Sequence, residues 1–179
     1  MKINELLKNL ISCTKSGLKA CGADDWLVAQ NYTPAKGNYP KPIILIRVLG
    51  TRAAGWQNHI DKINKNTGLL EHIETQQREV LIRFEALKDR NPAKPEEHTA
   101  FDVLSKVKMY FNSLAGIREL RSYELNPARI SEVYNPEYET PHGVFEFHPY
   151  FDVNIYVFDK FISPQAHISA AEVKEIKGI

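Results

Sequence analysis

The stretch Phe145–Phe158 constrains the fold more than any other part of the chain. Phe145, Phe147, Phe151, Val153, Ile155 and Val157 alternate with Glu146, His148, Tyr150, Asp152, Asn154 and Tyr156. A period of two places one set on a core and the other toward solvent, so the chain must build a sheet and cover one face of it. Pro149 falls among the apolar set and has no amide hydrogen to give a ladder. It predicts either a bulge or an edge position for the first part of the strand.

Two segments supply the cover. Ile3, Leu6, Leu7, Leu10, Ile11 and Leu18 form the stripe of an amphipathic helix over residues 3–18. Thr99 followed by Asp102 resembles a helix N-cap with an acidic partner, and Leu104, Val107, Phe111 and Leu114 continue at helical spacing, so a second helix is expected to close near Gly116. A helical turn at Ile117–Leu120 follows. Three more strands are predicted: Ile43–Leu49, whose nearly unbroken apolar run suits burial on both faces, Glu79–Leu87, beginning as early as His72, and Arg129–Tyr134. Cys21–Lys41 and Asp89–Pro95 read as loop and turn. From Gly50 to Leu70 the periodicity is lost and polar residues dominate, which predicts a long arm between the first two strands.

The expected fold class is α+β: about four strands, mostly antiparallel, with two helices packed on one face. Residues 1–162 form one domain, and 163–179 a C-terminal tail that is either disordered or laid against a neighbouring subunit.

Charge narrows the function. Lys and Arg total 23 against 22 Asp and Glu, a net +1, so the whole-domain basic excess of a duplex-DNA binder is absent. By position the net charge is +4 over residues 1–50, zero over 51–100, −2 over 101–150 and −1 over 151–179. No run approaches the roughly 18 apolar residues of a membrane span, and Glu5 and Lys8 interrupt the start of the chain, unlike a signal peptide. A soluble cytoplasmic chain without a membrane is expected. Cys13 and Cys21 are read as reduced structural residues.

Candidate chemistry is sparse. His142, His148 and Asp152 offer two imidazoles and a carboxylate, the ligand types of a metal-dependent enzyme. On a strand, however, His148 and Asp152 lie roughly 13 Å apart, too far to share an ion unless the backbone bulges, and a structural role is favoured. His98 reads as a polar flank, and Glu96–Glu97 as charges placed by a helix dipole. Gly50 and Gly55 flank no phosphate loop, and no serine sits in a nucleophile motif. No catalytic, cofactor-binding or metal-binding residue is therefore assigned, and the chain is not expected to be an enzyme. Tyr134, Tyr138, Phe145, Phe147, Tyr150, Phe151, Tyr156 and Phe158 form an aromatic cluster, of which alternate members face away from the helices. They either make a contact between proteins or lie under a second layer such as the Gly50–Leu70 arm.

The segments QREVLIRFEALKDRNPAKPEEHTAFDVLSKVKMYF (Gln77–Phe111) and NPEYETPHGVFEFHPYFDVNIYV (Asn135–Val157), with the helix before PKPIILIRVLG (Pro40–Gly50), resemble the neck and tail-terminator proteins of tailed bacteriophages. The resemblance covers residues 1–160. The chain departs from the pattern in its longer Gly50–Leu70 arm and in the tail beyond Phe161. The resemblance implies a closed, usually hexameric ring at the head-proximal end of the tail, which terminates the tube and joins it to the neck. Implied partners are copies of itself, the tail-tube and sheath proteins and a neck or head-connector protein, with DNA only passing through the lumen. The implied place is the virion, after assembly in the host cytoplasm, with no cofactor. Another neck ring (head-completion, connector or collar) is the alternative within this class. A metal-dependent enzyme using His142, His148 and Asp152, and a monomeric binding module, are the alternatives outside it.

Overall fold

An N-terminal helix, α1 (Ile3–Ala20), buries Leu6, Leu7, Leu10 and Leu18 of the predicted stripe, together with Cys13. The computed structural model describes residues 2–30, 41–89, 94, 96–139 and 145–165. After α1 come β1 (Leu27–Gln30), β2 (Ile43–Ile63), β3 (Leu70–Leu87), α2 (Ala100–Asn112), α3 (Leu114–Ser122), β4 (Asn126–Ile130), β5 (Glu137–Glu139), β6 (Phe145–Phe147) and β7 (Tyr150–Gln165). The main sheet has five strands in the order β1-β2-β3-β7-β4, and β5 and β6 pair separately. Three of its four pairings are antiparallel, and β1 runs parallel to β2.

The α+β class is as expected, with five strands and three helices in place of four and two. The fifth strand, β1, lies in the expected loop. Four residues are too few to show a period, and Leu27–Gln30 is extended because it aligns with Ile43–Ile46. Residues 31–40 of that loop, and most of the Asp89–Pro95 turn, lie outside the described residues. The third helix arises at Ser113, whose ψ of 158° ends α2. Its hydroxyl donates to the Tyr110 carbonyl (2.6 Å) and accepts from the Gly116 amide (3.1 Å), so one side chain closes α2 and caps α3. Gly116 therefore sits inside α3 rather than ending α2, and it is there for space: a Cβ would lie 2.1 Å from the Tyr110 carbonyl oxygen.

The alternating run Phe145–Phe158 is two strands. The chain breaks at His148–Pro149, and the Pro149 carbonyl takes the Ala86 amide (3.0 Å). The expected strand Arg129–Tyr134 is shifted to Asn126–Ile130, leaving Tyr134 as a single bridge to Tyr150. Pro127 is accommodated because β4 is an edge strand with a register shift beside it. At its far end β7 continues to Gln165, into the segment read as a tail. The rest of that segment lies outside the described residues.

The faces are as the alternation requires. Phe151, Val153, Ile155 and Val157 are buried with Val80, Ile82, Phe84 and Ala86 of β3 beneath the helices. Phe84 and Phe151 stack at 4.9 Å, and Phe111 of α2 meets Phe84 edge-on at 5.3 Å. Each such side chain contributes about 1.5–3 kcal/mol by leaving water. Among the helices, Glu119 accepts from Ser16 Oγ (2.9 Å) and the Tyr110 hydroxyl (2.6 Å), tying α3 to α1 and α2. Burial, together with that carboxylate, pushes the Tyr110 hydroxyl up to about 12.

Candidate functional site

Of the residues proposed for a metal-dependent enzyme, the two described ones, His148 and Asp152, are not grouped as metal ligands. Asp152 is held by Arg83 in a two-pronged pair, Nε to Oδ1 at 2.8 Å and Nη2 to Oδ2 at 2.9 Å. Such a fork uses both carboxylate oxygens. His148 lies 3.4 Å from Glu85, and His142 is outside the described residues. Cys13 is no better placed for chemistry: burial, followed by the proximity of Glu119, pushes its thiol up to about 12, where no thiolate exists at neutral pH. Glu97 faces Lys88 and Lys94, each at 3.1 Å, and these hydrogen bonds hold its carboxyl below the usual range. His98 meets Lys106 (2.9 Å). Each of these groups among the described residues has a partner on the surface or in the core.

The sheet face turned away from the helices is a charged ladder. Arg83 lies 3.8 Å above the Tyr150 ring while it grips Asp152, and the bond to Asp152 raises its pKa further. Four residues back along β3, Glu79 is bridged by Arg52 (2.7 Å) and by the Asn154 amide. Glu79 is buried, and these two donors offset the cost of removing its charge from water. Most of the aromatic cluster is not covered by the arm. Tyr150 packs on Arg83 and near Tyr134 (5.4 Å), Phe151 enters the core, and Tyr134, Phe147 and Phe158 are exposed.

The arm is where the structure departs furthest from the sequence reading. The long arm expected over residues 50–70 is there, but as regular strand: β2 and β3 continue as a ladder to Ile63 and Leu70, turning through Asn64–Leu69. Beyond the helices β7 pairs along it from Phe158 to Gln165, giving three strands. A bulge between Ala54 and Asn58 interrupts the ladder. There Gly55 takes φ +73°, a conformation few other residues tolerate, and the Gln76 side chain donates to the Ala54 and Gly55 carbonyls (3.2 and 3.3 Å). Trp56 projects from this bulge, 97% exposed.

The arm has two unlike faces. On one, Ile60, Ile73 and Ile162 align across the three strands, with Ile60 and Ile162 exposed, and Phe158 lies exposed on the same face nearer the body. On the other, His59, Asp61, His72 and Glu74 gather on adjacent cross-strand pairs. Neither grouping was visible as a local motif, since each is made by register between strands. Among the described residues, no helix is long and apolar enough to cross a membrane.

A family model described as the E217 gateway protein gp29 matches residues 5–167, most of the chain. No curated protein matches it. The chain therefore belongs to this family of phage gateway proteins, structural proteins of the virion neck.

Proposed function

With the chain a phage gateway protein, we propose that it assembles with copies of itself into a closed ring, a hexamer, at the head-proximal end of the tail, where it ends growth of the tube and joins it to the neck. The observation that carries this reading is the three-stranded arm. It extends the sheet past its helical cover and presents Ile60, Ile162, Phe158 and Trp56 to solvent. A row of β-branched and aromatic side chains on an exposed sheet is suited to burial against another protein. In a ring one patch meets a different patch on the next copy, and the basic first 50 residues and acidic later segments supply opposite charges for such a head-to-tail contact.

In this reading the arm reaches the neighbouring subunit, the ring faces the tail-tube and sheath proteins on one side and a head-connector protein on the other, and DNA passes through the lumen without specific contact. Assembly takes place in the host cytoplasm.

Light scattering of the purified protein, alone and mixed with its tail-tube protein, tests the proposal. A uniform closed assembly that caps tube ends and halts their growth is expected. A strict monomer that never joins tube ends would overturn it. Imaging of the particle separates tail termination from a place in a head-completion, connector or collar ring.

A further inference from the structure

The face of the arm opposite the isoleucine row, which also carries the exposed Phe161 and Ile63, has the makings of a metal site. His59 pairs across the strands with Glu74, and Asp61 with His72, so all four side chains lie on one face. Glu74 Oε1 is 3.4 Å from His72 Nε2 and 3.9 Å from His59 Nδ1. One ligand atom from each of His59, His72 and Glu74 lies within 4.8 Å of the other two. Tetrahedral ligands at about 2.0–2.1 Å from an ion are roughly 3.3 Å from each other, so closing the set takes side-chain adjustments of about an ångström.

The surroundings fit the same purpose. His72 Nδ1 is 2.6 Å from Asp61 Oδ1, and Gln57 donates to Glu74 Oε2 at 2.6 Å. When Nδ1–H of His72 donates to Asp61, the neutral form that a metal ion requires leaves Nε2 free on the side of Glu74. A carboxylate behind a ligating histidine is the usual support of such a ligand. Glu74 likewise has one oxygen anchored and the other turned to the two rings, which stack with centroids 5.5 Å apart. Cross-strand ion pairs alone would explain one histidine opposite one carboxylate. Here two imidazoles lie 3.4 and 3.9 Å from one carboxylate oxygen, an arrangement with three ligand groups on one spot.

We propose that His59, His72 and Glu74 form a three-ligand site for a divalent transition-metal ion of the zinc type, with a fourth position open to water or to a donor from another chain. Asp61 and Gln57 are its positioning residues. Two imidazoles and one carboxylate suit zinc and its first-row neighbours, whereas magnesium and calcium call for oxygen ligands throughout. The site lies outside the expectation from sequence that no metal is bound, and it uses none of His142, His148 and Asp152. It stands independently of ring formation, since the three named ligands come from one chain.

Untagged protein at pH 7.5, titrated with Zn²⁺ against a chromophoric chelator and with Co²⁺ by visible absorption, provides the test. The expected result is one ion per chain with micromolar affinity, unaffected by excess Mg²⁺. His59→Gln, His72→Gln and Glu74→Gln should each weaken binding by about tenfold or more, and Asp61→Asn by about tenfold with a shifted cobalt spectrum. His98→Gln should bind as the parent does. The four arm positions are at the surface, so circular dichroism should show each variant folded. Failure of the parent to bind Zn²⁺ below millimolar concentration would overturn the site. Retention of parental affinity by a folded H59Q/H72Q double variant, or equal binding of Mg²⁺, would overturn it as well.

Discussion

The same three strands meet two environments. In the body, β2, β3 and β7 lie beneath α1 and α2, and Ile46, Ile82, Phe84 and Val153 are almost wholly inaccessible to solvent. In the arm, the ladder carries Ile60, Ile63 and Ile162 with about half of each in water. Backbone pairing runs through both, unbroken between β3 and β7 and shifted at two bulges between β2 and β3, so hydrogen bonding alone does not distinguish them. The removal of apolar side chains from water does, and it concentrates folding stability in the body. The arm keeps its shape through register, the Gln76-filled bulge and the third strand, since a two-stranded hairpin alone is marginal in water.

Substitutions on the two sides of this division should separate folding from assembly. The largest effect is expected at Ile155, fully buried under the helices: Ile155→Asp places an unpaired carboxylate in the core, at a cost of several kcal/mol, and should abolish soluble folding. An unchanged thermal melt would mean that the body faces are wrongly assigned. Next is Gly116→Val, whose Cβ would collide with the Tyr110 carbonyl and push α3 from α2, lowering stability by about 2–3 kcal/mol in urea unfolding. Arg83→Met leaves Asp152 without its fork on the outer face and should cost about 1–2 kcal/mol by the same assay, an effect reduced by the partial exposure of both groups.

A smaller effect, with a pH signature, is expected at the α2 cap. Hydrogen bonds from the Thr99 side chain and amide hold the Asp102 carboxyl below the usual range. A depressed folded-state pKa adds stability above the unfolded value, and that increment disappears as pH falls through the folded value. Thr99→Ala should lower stability by about 1 kcal/mol at neutral pH and lessen the loss on acidification. The least effect on folding is expected in the arm. Ile60→Ser with Ile162→Ser should change monomer stability by no more than about 0.5 kcal/mol, while weakening self-association in sedimentation. A large loss of folding stability there would erase the distinction between body and arm.

Several elements were legible because their signals are local. The stripe of α1, the Thr99–Asp102 start of α2 and the buried set Phe151, Val153, Ile155 and Val157 follow from periods of 3.6 and 2 and from one capping pattern. The outer arm was not legible as strand, because Thr51–Ile63 is mostly solvent-exposed and carries a bulge, so no face repeats. The α2–α3 break was obscured by Gly116, which resembles a helix stop but serves close packing. For the candidate site, the sequence drew attention to His142, His148 and Asp152, neighbours along the chain. Register instead brought His59 and His72 together from opposite strands.

By itself the sequence determined that this chain builds a one-side-covered sheet with helices on it, carries a long arm and lacks the basic excess of a duplex-DNA binder, because composition and periodicity act through neighbours in the chain. Only the tertiary structure decided that the arm is a three-stranded ladder with an isoleucine row on one face and a histidine–carboxylate cluster on the other. Those groupings depend on which residue stands opposite which. Register is set by turns, bulges and the packed body acting together, so no single stretch of the chain encodes it.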